Sequence, residues 1–348
     1  MNTETQSLSP AGSQNNIPVV FTADQNFFPY LSVALQSIID NASKLYTYDI
    51  IIIDGGISKS QKKHLTSQLY GINNFVIRYA TINALLEVYD VESWWCSKRM
   101  QPFVYSRLFL PVILRDYDKV IYLDSDICIT VDIAELYSIE LGNNLIGAVQ
   151  DFGDRELQKY ESYLRETLCL HDGHTYFNSG VTLMNIREMN RQNIFNRFIE
   201  IAIINNKMAH DQNVLNACCQ GSVLYLDKTW NAQWHVTFWP HFTFLTDEEI
   251  QDIMDNAKIY HYNCRKPNIL TQNALAIHWW SYARRTPFYE QLLFQKADED
   301  ILQLSKQIIV AMEKYENNSM LSDRVITTKS KQKKTNIINK VFSLIKIQ

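Results

Sequence analysis

The residues best placed to do chemistry in this chain are Asp124 and Asp126, in the segment Lys119-Val-Ile-Tyr-Leu-Asp124-Ser-Asp126-Ile. Alternate residues of an extended chain project to the same side, so both carboxylates can reach one divalent cation. Hard cations favour such oxygens. The pattern Asp-x-Asp is short, and it recurs as Asp116-Tyr-Asp118 and Asp298-Glu-Asp300. Only the middle pair ends an apolar β-forming run. The first pair follows Arg115 and reads as a solvated turn, and the last sits on a charged helical surface. Because Asp also forms turns, context must decide what the middle pair does.

His261 closes the run Lys-Ile-Tyr-His. Two carboxylates and an imidazole suit Mn²⁺, with Mg²⁺ as the second choice; the competing reading is a structural, hydrogen-bonded His. Arg265 and Lys266 follow closely. Cations beside a metal ligand can neutralise a departing diphosphate, although a solvated loop would look the same. Asp24 and Asn26 follow the first apolar run, where short polar side chains bind a base or ribose edge or cap a helix. Asp211 and Gln212 open a helical segment, and Asp211 reads equally as its N-cap. The pairs Trp94/Trp95 and Trp279/Trp280 read as core rather than as sugar platforms.

The elements that must position these residues alternate. Strands are predicted over Ile17–Ala23, Tyr48–Ile53, Phe75–Tyr79, Lys119–Asp124, Leu145–Val149, Gly180–Asn185, Val223–Leu226 and Lys258–His261. Helices are predicted over Phe28–Asp40, Ser58–Leu69, Ser97–Leu114 (carrying Arg107), Ile186–Asn205, Asp211–Cys219 and Thr286–Glu313, with a polar helical flap over Asp154–Leu170. Alternation means a mostly parallel sheet with right-handed crossovers, and continuous apolar strands mean that both faces are covered. Ligands of such sheets bind beyond the carboxyl ends of strands. Three strands end there in Phe21-Thr-Ala23-Asp24, Leu123-Asp124-Ser125-Asp126 and Val149-Gln-Asp151, a convergence that favours a site over a turn.

The chain's 348 residues, 46% hydrophobic and 20% charged, fit one large α/β domain with a helical appendage. The expected division is a disordered leader over 1–16, a catalytic domain over 17–285, a helix packing on it over 286–323, and a basic tail over 324–348. A net charge of −4 without a basic stripe in the body argues against nucleic acid. No secretory signal or spanning segment is apparent, and six scattered cysteines read as reduced cytosolic thiols.

The ordered set Phe21-Thr-Ala-Asp24-Gln-Asn26, Tyr105-Ser-Arg107-Leu, Val120-Ile-Tyr-Leu-Asp124-Ser-Asp126, Gly147-Ala-Val-Gln-Asp151, Tyr176-Phe-Asn178-Ser-Gly-Val, His210-Asp211-Gln212-Asn-Val-Leu-Asn and His261-Tyr resembles the family-8 retaining glycosyltransferases. The similarity is to the bacterial lipopolysaccharide galactosyl- and glucosyltransferase branch, related to glycogenin, and it covers roughly residues 17–290. The resemblance implies a GT-A fold and a UDP-hexose donor held through Mn²⁺. It also implies that Asp124, Asp126 and His261 ligand the metal, and that Ala23, Asp24, Asn26, Phe27 and Ser125 form the nucleotide side. Arg107, Asp151, Asn178, Asp211 and Gln212 would surround the donor sugar and reacting centre. One departure concerns the loop after His261. The family pattern His-x-x-Gly-x-x-Lys-Pro-Trp is here His261-Tyr-Asn-Cys264-Arg265-Lys266-Pro267-Asn268, one residue shorter and without the Gly or the Trp. Whether Arg265 or Lys266 meets the diphosphate is left open. Phe27 stands where the family often has Tyr.

Retention by analogy with glycosidases would call for a carboxylate nucleophile. The family position nearest that face is an amide, here Gln212, so a front-face reaction is expected, with a leaving phosphate oxygen taking the acceptor's proton. From Arg324 to Gln348 there are seven basic residues and no acidic ones, and Ile337, Ile338, Val341, Phe342, Leu344 and Ile345 fit one helical face. Such a tail suits an anionic membrane surface, hence a cytoplasmic protein peripheral on the inner membrane, with a glycan or glycolipid acceptor. Packing on the body is the alternative. The competing functions are a nucleotidyltransferase, for which Thr22–Tyr30 lacks a Gly-rich loop, and a non-catalytic sugar-nucleotide or glycan binder.

Overall fold

The computed structural model describes residues 7–12, 15–94, 102–153, 175–204, 210–240, 243–263, 266–267 and 274–322. The expected flap, Trp95, Arg265 and the basic tail lie outside the described residues. Two compact units divide the chain, Met1–Leu293 and Phe294–Gln348.

The first unit is built on a seven-stranded sheet. Its strands are β1 (Asn16–Ala23), β2 (Thr47–Asp54), β3 (Phe75–Ala80), β4 (Val120–Leu123), β6 (Ile146–Gln150), β7 (Phe177–Met184) and β8 (Val223–Tyr225), in the order β3-β2-β1-β4-β7-β6-β8. All pairs are parallel except those made by β7, which runs against β4 and β6. Sequence order reverses direction between β1 and β4, where a doubly wound sheet opens its crevice. A second sheet contains β5 (Ile127–Ile129), β10 (Ile259–His261) and β9 (Ala232–Gln233), in the order β5-β10-β9.

Strand residues alternate between two fully buried layers. Val19, Phe21, Ile50, Ile52, Ile121 and Leu123 face one apolar cluster, and Val20, Ile51, Ile53, Val120 and Tyr122 face the other. This is why the strands read as unbroken apolar runs. Fully burying one such side chain contributes about 1.5–3 kcal/mol. The first layer includes α1 (Phe28–Asn41), through Leu31, Leu35 and Ile38. Helix α2 (Lys59–Ser67) begins on a capping box between Ser58 and Gln61. Short helices α3 (Asn83–Val88) and α5 (Ala134–Tyr137), not read in the sequence, fill crossovers.

Two expected helices are interrupted. Pro102–Phe109 is a 3-10 helix, and an α-helical turn, α4, spans Leu110–Ile113. Pro111 has no N–H for an i−4 bond to Arg107 and disfavours helical geometry in the residue before it. The segment expected as one helix over Ile186–Asn205 is α6 (Ile186–Arg191) and α7 (Ile194–Ile204), separated at Asn193, which takes φ +57°. Asn tolerates that left-handed conformation better than most residues. Strand β7 begins at Phe177, three residues earlier than the apolar pattern suggests. The remaining helices are α8 (Asp211–Cys219), α9 (Asp247–Asp255), α10 (Ala274–Ala283) and α11 (Tyr289–Ser322). The last ends at Ser322, nine residues beyond the expected Glu313.

Residues 7–12, read in the sequence as part of a disordered leader, are tied to the first unit. Leu8 N–H donates to Ile113 O at 3.0 Å, and Ser9 Oγ donates to Asp116 at 2.9 Å. Behind them Asp49, fully buried on β2, accepts from Arg78 Nε at 2.9 Å and from Tyr117 OH at 2.8 Å. Removing Asp49 would leave the partly buried Arg78 guanidinium and the buried Tyr117 phenol without their shared carboxylate. Asp49→Ala is expected to lower stability by about 3 kcal/mol, read from urea unfolding midpoints; a loss below about 1 kcal/mol would contradict the network's role.

Candidate active site

The sheet brings the acid-ending strands to one edge. Asp124 leaves β4 between the end of β1 and the start of β7, and its N–H donates to Gly180 O at 2.7 Å. The β6–β7 pairing carries an irregularity between Ala148 and Gln150, and Asp151 then donates its N–H to Tyr176 O at 2.9 Å. Such irregularities re-aim the side chains that follow.

The second sheet supplies the distant member of the cluster, His261. β10 pairs with β5 so that His261 lies opposite Ile127, and Tyr262 N–H donates to Asp126 O at 2.8 Å. His261 Nε2 thus lies 3.7 Å from both Asp124 Oδ2 and Asp126 Oδ1. One ligand atom from each of the three lies within 4.8 Å of the others. The ring's tautomer follows from its neighbours. Asn231 donates its amide to Asn178 Oδ1 at 3.0 Å, leaving its own Oδ1, 3.0 Å from His261 Nδ1, to accept. Nδ1 then carries the proton and Nε2 offers its lone pair toward the carboxylates, as metal-bound imidazoles are oriented. Burial lowers the His261 pKa from its ordinary value although Asp126 and Asp124 oppose it, so the neutral, ligating form prevails at neutral pH. Burial alone would raise the Asp126 pKa, but Lys266, then His261, hold it lowered. The chemistry of the donor set and its spacing fit a divalent cation.

Arg107, on the 3-10 segment, is 8% exposed and binds three neighbours. Its NH2 donates to Asp124 Oδ1 at 2.9 Å, its NH1 donates to Ser179 O and Oγ, and its Nε pairs with Asp211 Oδ2 at 2.6 Å. The last contact is an ion pair rather than an aligned hydrogen bond. Burial works against the guanidinium's charge, but Asp124 and Asp211 outweigh it and hold the pKa raised. Asp211 is the first helical residue of α8 rather than its N-cap, which is His210. Gln212 accepts from Ser179 N–H at 3.0 Å and donates to Asp151 Oδ2 at 3.3 Å. Asn178 donates to the same oxygen at 3.1 Å. Asp151, Asn178, Asn231 and His261 therefore form one hydrogen-bonded chain.

Beside these residues lies a cleft of about 270 Å³, lined by Ala23, Asp24, Phe27, Phe103, Ser125 and Lys266 together with Arg107, Asp124 and Asp126. Asp24 Oδ1 accepts from the N–H groups of Asn26 and Phe27 at 2.9 and 2.8 Å, closing the turn into α1. Asn26 itself is exposed and does not line this cleft. Lys266 bridges to Asp126, with its ammonium 4.8 Å from the centroid of the Phe27 ring. Of the two cations left open in the sequence, Lys266 stands at the cleft; Arg265 lies outside the described residues. The other Asp-x-Asp pairs fall elsewhere. Asp118 is a surface partner of Arg187, and Asp300 pairs with Lys296 along α11. Trp94, Trp279 and Trp280 are core.

Sequence reasoning missed Asn231, Ser179 and Gly180. The first two carry no mark beyond the strand and turn in which they sit. Gly180 is needed for space: a Cβ there would run into His261 Cε1 and come within 2.8 Å of Asp124 Oδ2.

A largely parallel sheet with its site at the carboxyl edge of β1 and β4 is the GT-A arrangement. Solved structures agree: a bifunctional glycosyltransferase, WbbM, superposes with TM-score 0.75 at 25% identity over 84% of this chain and 53% of its own. Galactosyltransferase LgtC in complex with donor and acceptor sugar analogs superposes with TM-score 0.63 at 26% identity over 78% of this chain and 96% of its own. Glycosyltransferase GlyF of Streptococcus pneumoniae is 28% identical over 294 residues, 83% of this chain. Residues 18–267 match the model of glycosyl transferase family 8, and the chain belongs to that family. It spans less than two thirds of the length of some relatives: 62% of a Haemophilus influenzae protein 30% identical to it, and 66% of GlyF.

Because Gly180 leaves room for the His261 ring, Gly180→Ala is expected to weaken Mn²⁺ binding by about 10-fold or more, and Asn231→Ala by a similar factor through loss of ring orientation. Titration calorimetry with Mn²⁺ on folded variants tests both; unchanged affinity in Gly180→Ala would refute the steric argument.

Proposed function

We propose that the chain transfers a hexose, glucose or galactose, from a UDP-sugar to a hydroxyl of a glycan acceptor with retention of configuration. The observation that carries this reading is the convergence of Asp124, Asp126 and His261 beside a cleft flanked by Phe27 and Lys266. The LgtC likeness supports the same reading.

Asp124, Asp126 and His261 would hold Mn²⁺ or Mg²⁺, which when bound withdraws charge from the departing diphosphate. Lys266 stands where it can add a second positive charge to that leaving group. Phe27 offers the exposed ring for the base, and Ala23, Asp24 and Ser125 form the cleft wall beside it. On the sugar side, the Gln212 amide and the Asp151 carboxylate are locked to each other and to Ser179 and Asn178, which suits positioning. Asp211 is engaged by Arg107, a poor state for a nucleophile. The proposed step is therefore front-face. The bond from the anomeric carbon to the diphosphate breaks, the acceptor oxygen attacks the same face, and its proton passes to the leaving phosphate oxygen. A lipopolysaccharide core or another cell-surface saccharide is the acceptor class we favour. The basic tail from Arg324 would hold the protein at the cytoplasmic membrane face.

Two measurements test this. UDP release from UDP-glucose and UDP-galactose should require Mn²⁺ and fall by about 100-fold or more in Asp124→Asn. Release that survives that substitution would sink the metal assignment, and a glycosyl-enzyme trapped on Asp211 would sink the front-face step. Separately, a chain lacking residues 325–348 should lose binding to phosphatidylglycerol vesicles while keeping UDP release. Equal vesicle binding by the two chains would refute the tail's role.

A further inference from the structure

Tyr122 has no part in the reaction proposed above. It stands two residues before Asp124, on the same side of an extended segment, and faces the second apolar layer at 2% exposure. A phenylalanine would fill that layer as well. The hydroxyl is an added polar atom that must find a partner once buried. That partner is Asp124: Tyr122 OH donates to Asp124 Oδ1 at 3.1 Å. Arg107 NH2 donates to the same oxygen at 2.9 Å. The two donors brace each other, because the guanidinium lies on the Tyr122 ring, 4.5 Å from its centroid.

These contacts divide the carboxylate between two tasks. Each carboxylate oxygen offers two lone pairs, and on Oδ1 both are taken. Oδ2 is left as the atom that faces His261 Nε2 at 3.7 Å. Asp126 also turns one oxygen, Oδ1, toward His261 and the other toward Lys266. The two acids differ in what holds the second oxygen. Lys266 is a partly exposed side chain to which the proposed reaction gives the diphosphate. Arg107 and Tyr122 are buried and belong to the framework that delivers Asp124. Asp124 therefore offers a cation one oxygen.

That restriction bears on the choice of ion. Ca²⁺ gathers about six to eight oxygens and readily takes a carboxylate through both of its own, whereas a small octahedral ion is satisfied by one oxygen from each ligand. We propose that the Tyr122 hydroxyl is a positioning group of the metal site. By filling Asp124 Oδ1 together with Arg107, it holds the carboxylate to a single ligating oxygen and biases the site toward Mn²⁺ or Mg²⁺ and against Ca²⁺. The inference rests on the assignment of Asp124, Asp126 and His261 to a divalent cation.

The test reads ion binding rather than turnover, on the full chain. Free Mn²⁺ is followed by its electron paramagnetic resonance signal during a Mn²⁺ titration, and Ca²⁺ is then added as competitor. Tyr122→Phe keeps the ring under Arg107 and removes only the hydroxyl. In that variant Mn²⁺ affinity should fall by about 10-fold. Ca²⁺ affinity should fall by no more than about 2-fold, because the freed lone pair admits the second oxygen. Ser106→Ala deletes another buried hydroxyl, one that bonds to Thr22 rather than to Asp124, and should leave the Mn²⁺ preference unchanged. 3-Fluorotyrosine at position 122 restores ring and hydroxyl together and should restore the preference. A Tyr122→Phe chain of native circular dichroism with the wild-type preference overturns the proposal. So does an equal loss in Ser106→Ala, or a loss that 3-fluorotyrosine does not repair. A wild-type chain that binds Mn²⁺ no better than Asp124→Asn overturns the metal assignment and this inference with it, a failure visible before Tyr122 is changed.

Discussion

The arrangement depends first on one buried cation. Asp124 and Asp211 approach the same small volume from β4 and α8, where two like charges side by side would repel each other. Arg107 answers both with one planar group, and its remaining donors hold the backbone and hydroxyl of Ser179. A lysine could not do this: its ammonium is a point charge, whereas the guanidinium fork reaches three directions at fixed angles. The face of that fork lies on the Tyr122 ring, 4.5 Å from its centroid, so the strand that delivers Asp124 also packs the cation. Arg107 thereby sets the relative positions of β4, β7 and α8, the three elements on which the site is built.

Second-sheet register supplies the rest. A three-residue strand is too short to be stable alone, but β10 is held on both edges, and its pairing with β5 fixes His261 one residue beyond Asp126 across the ladder. Slipping that register by one would turn His261 to the opposite face. The small sheet is therefore a positioning device. It converts a separation of well over a hundred residues in the chain into a few ångströms, and Asn231, next to β9, completes it by orienting the ring.

What the sequence revealed follows from how each signal is carried. β1, β2 and β4 are legible because parallel strands buried on both faces leave long β-branched runs, and acids at the ends of such runs stand out. Seven blocks in order made the family legible from residues alone. The 3-10 segment before Pro111 and the break at Asn193 were hidden because helical spacing survives across both. Of the second sheet only β10 was legible, as the run Lys258–His261; β5 and β9 were hidden because strands of two or three residues have no period to read. Asn231 and Gly180 were hidden for a deeper reason: their value lies in what they stand next to, and an Asn that orients a ring or a Gly that yields space is composed of ordinary letters.

These hidden contacts bear on the chemistry. A double displacement needs a carboxylate with an oxygen available to the anomeric carbon, but the acids nearest this centre are committed. Asp211 is held by Arg107. Asp151 accepts from Gly153 N–H, Asn178 and Gln212, and Gln212 is in turn held by Ser179. Freeing Asp151 would leave amide donors unsatisfied, a cost of about 1–3 kcal/mol before any bond is made, and freeing Asp211 would take one of its two carboxylates from the buried Arg107 guanidinium. The same hydrogen bonds are assets to a front-face reaction, which asks the protein to hold a short-lived cation and its leaving group in place rather than to attack it. The rigidity that argues against a nucleophile thus argues for the alternative, in which the departing phosphate does the work of a base.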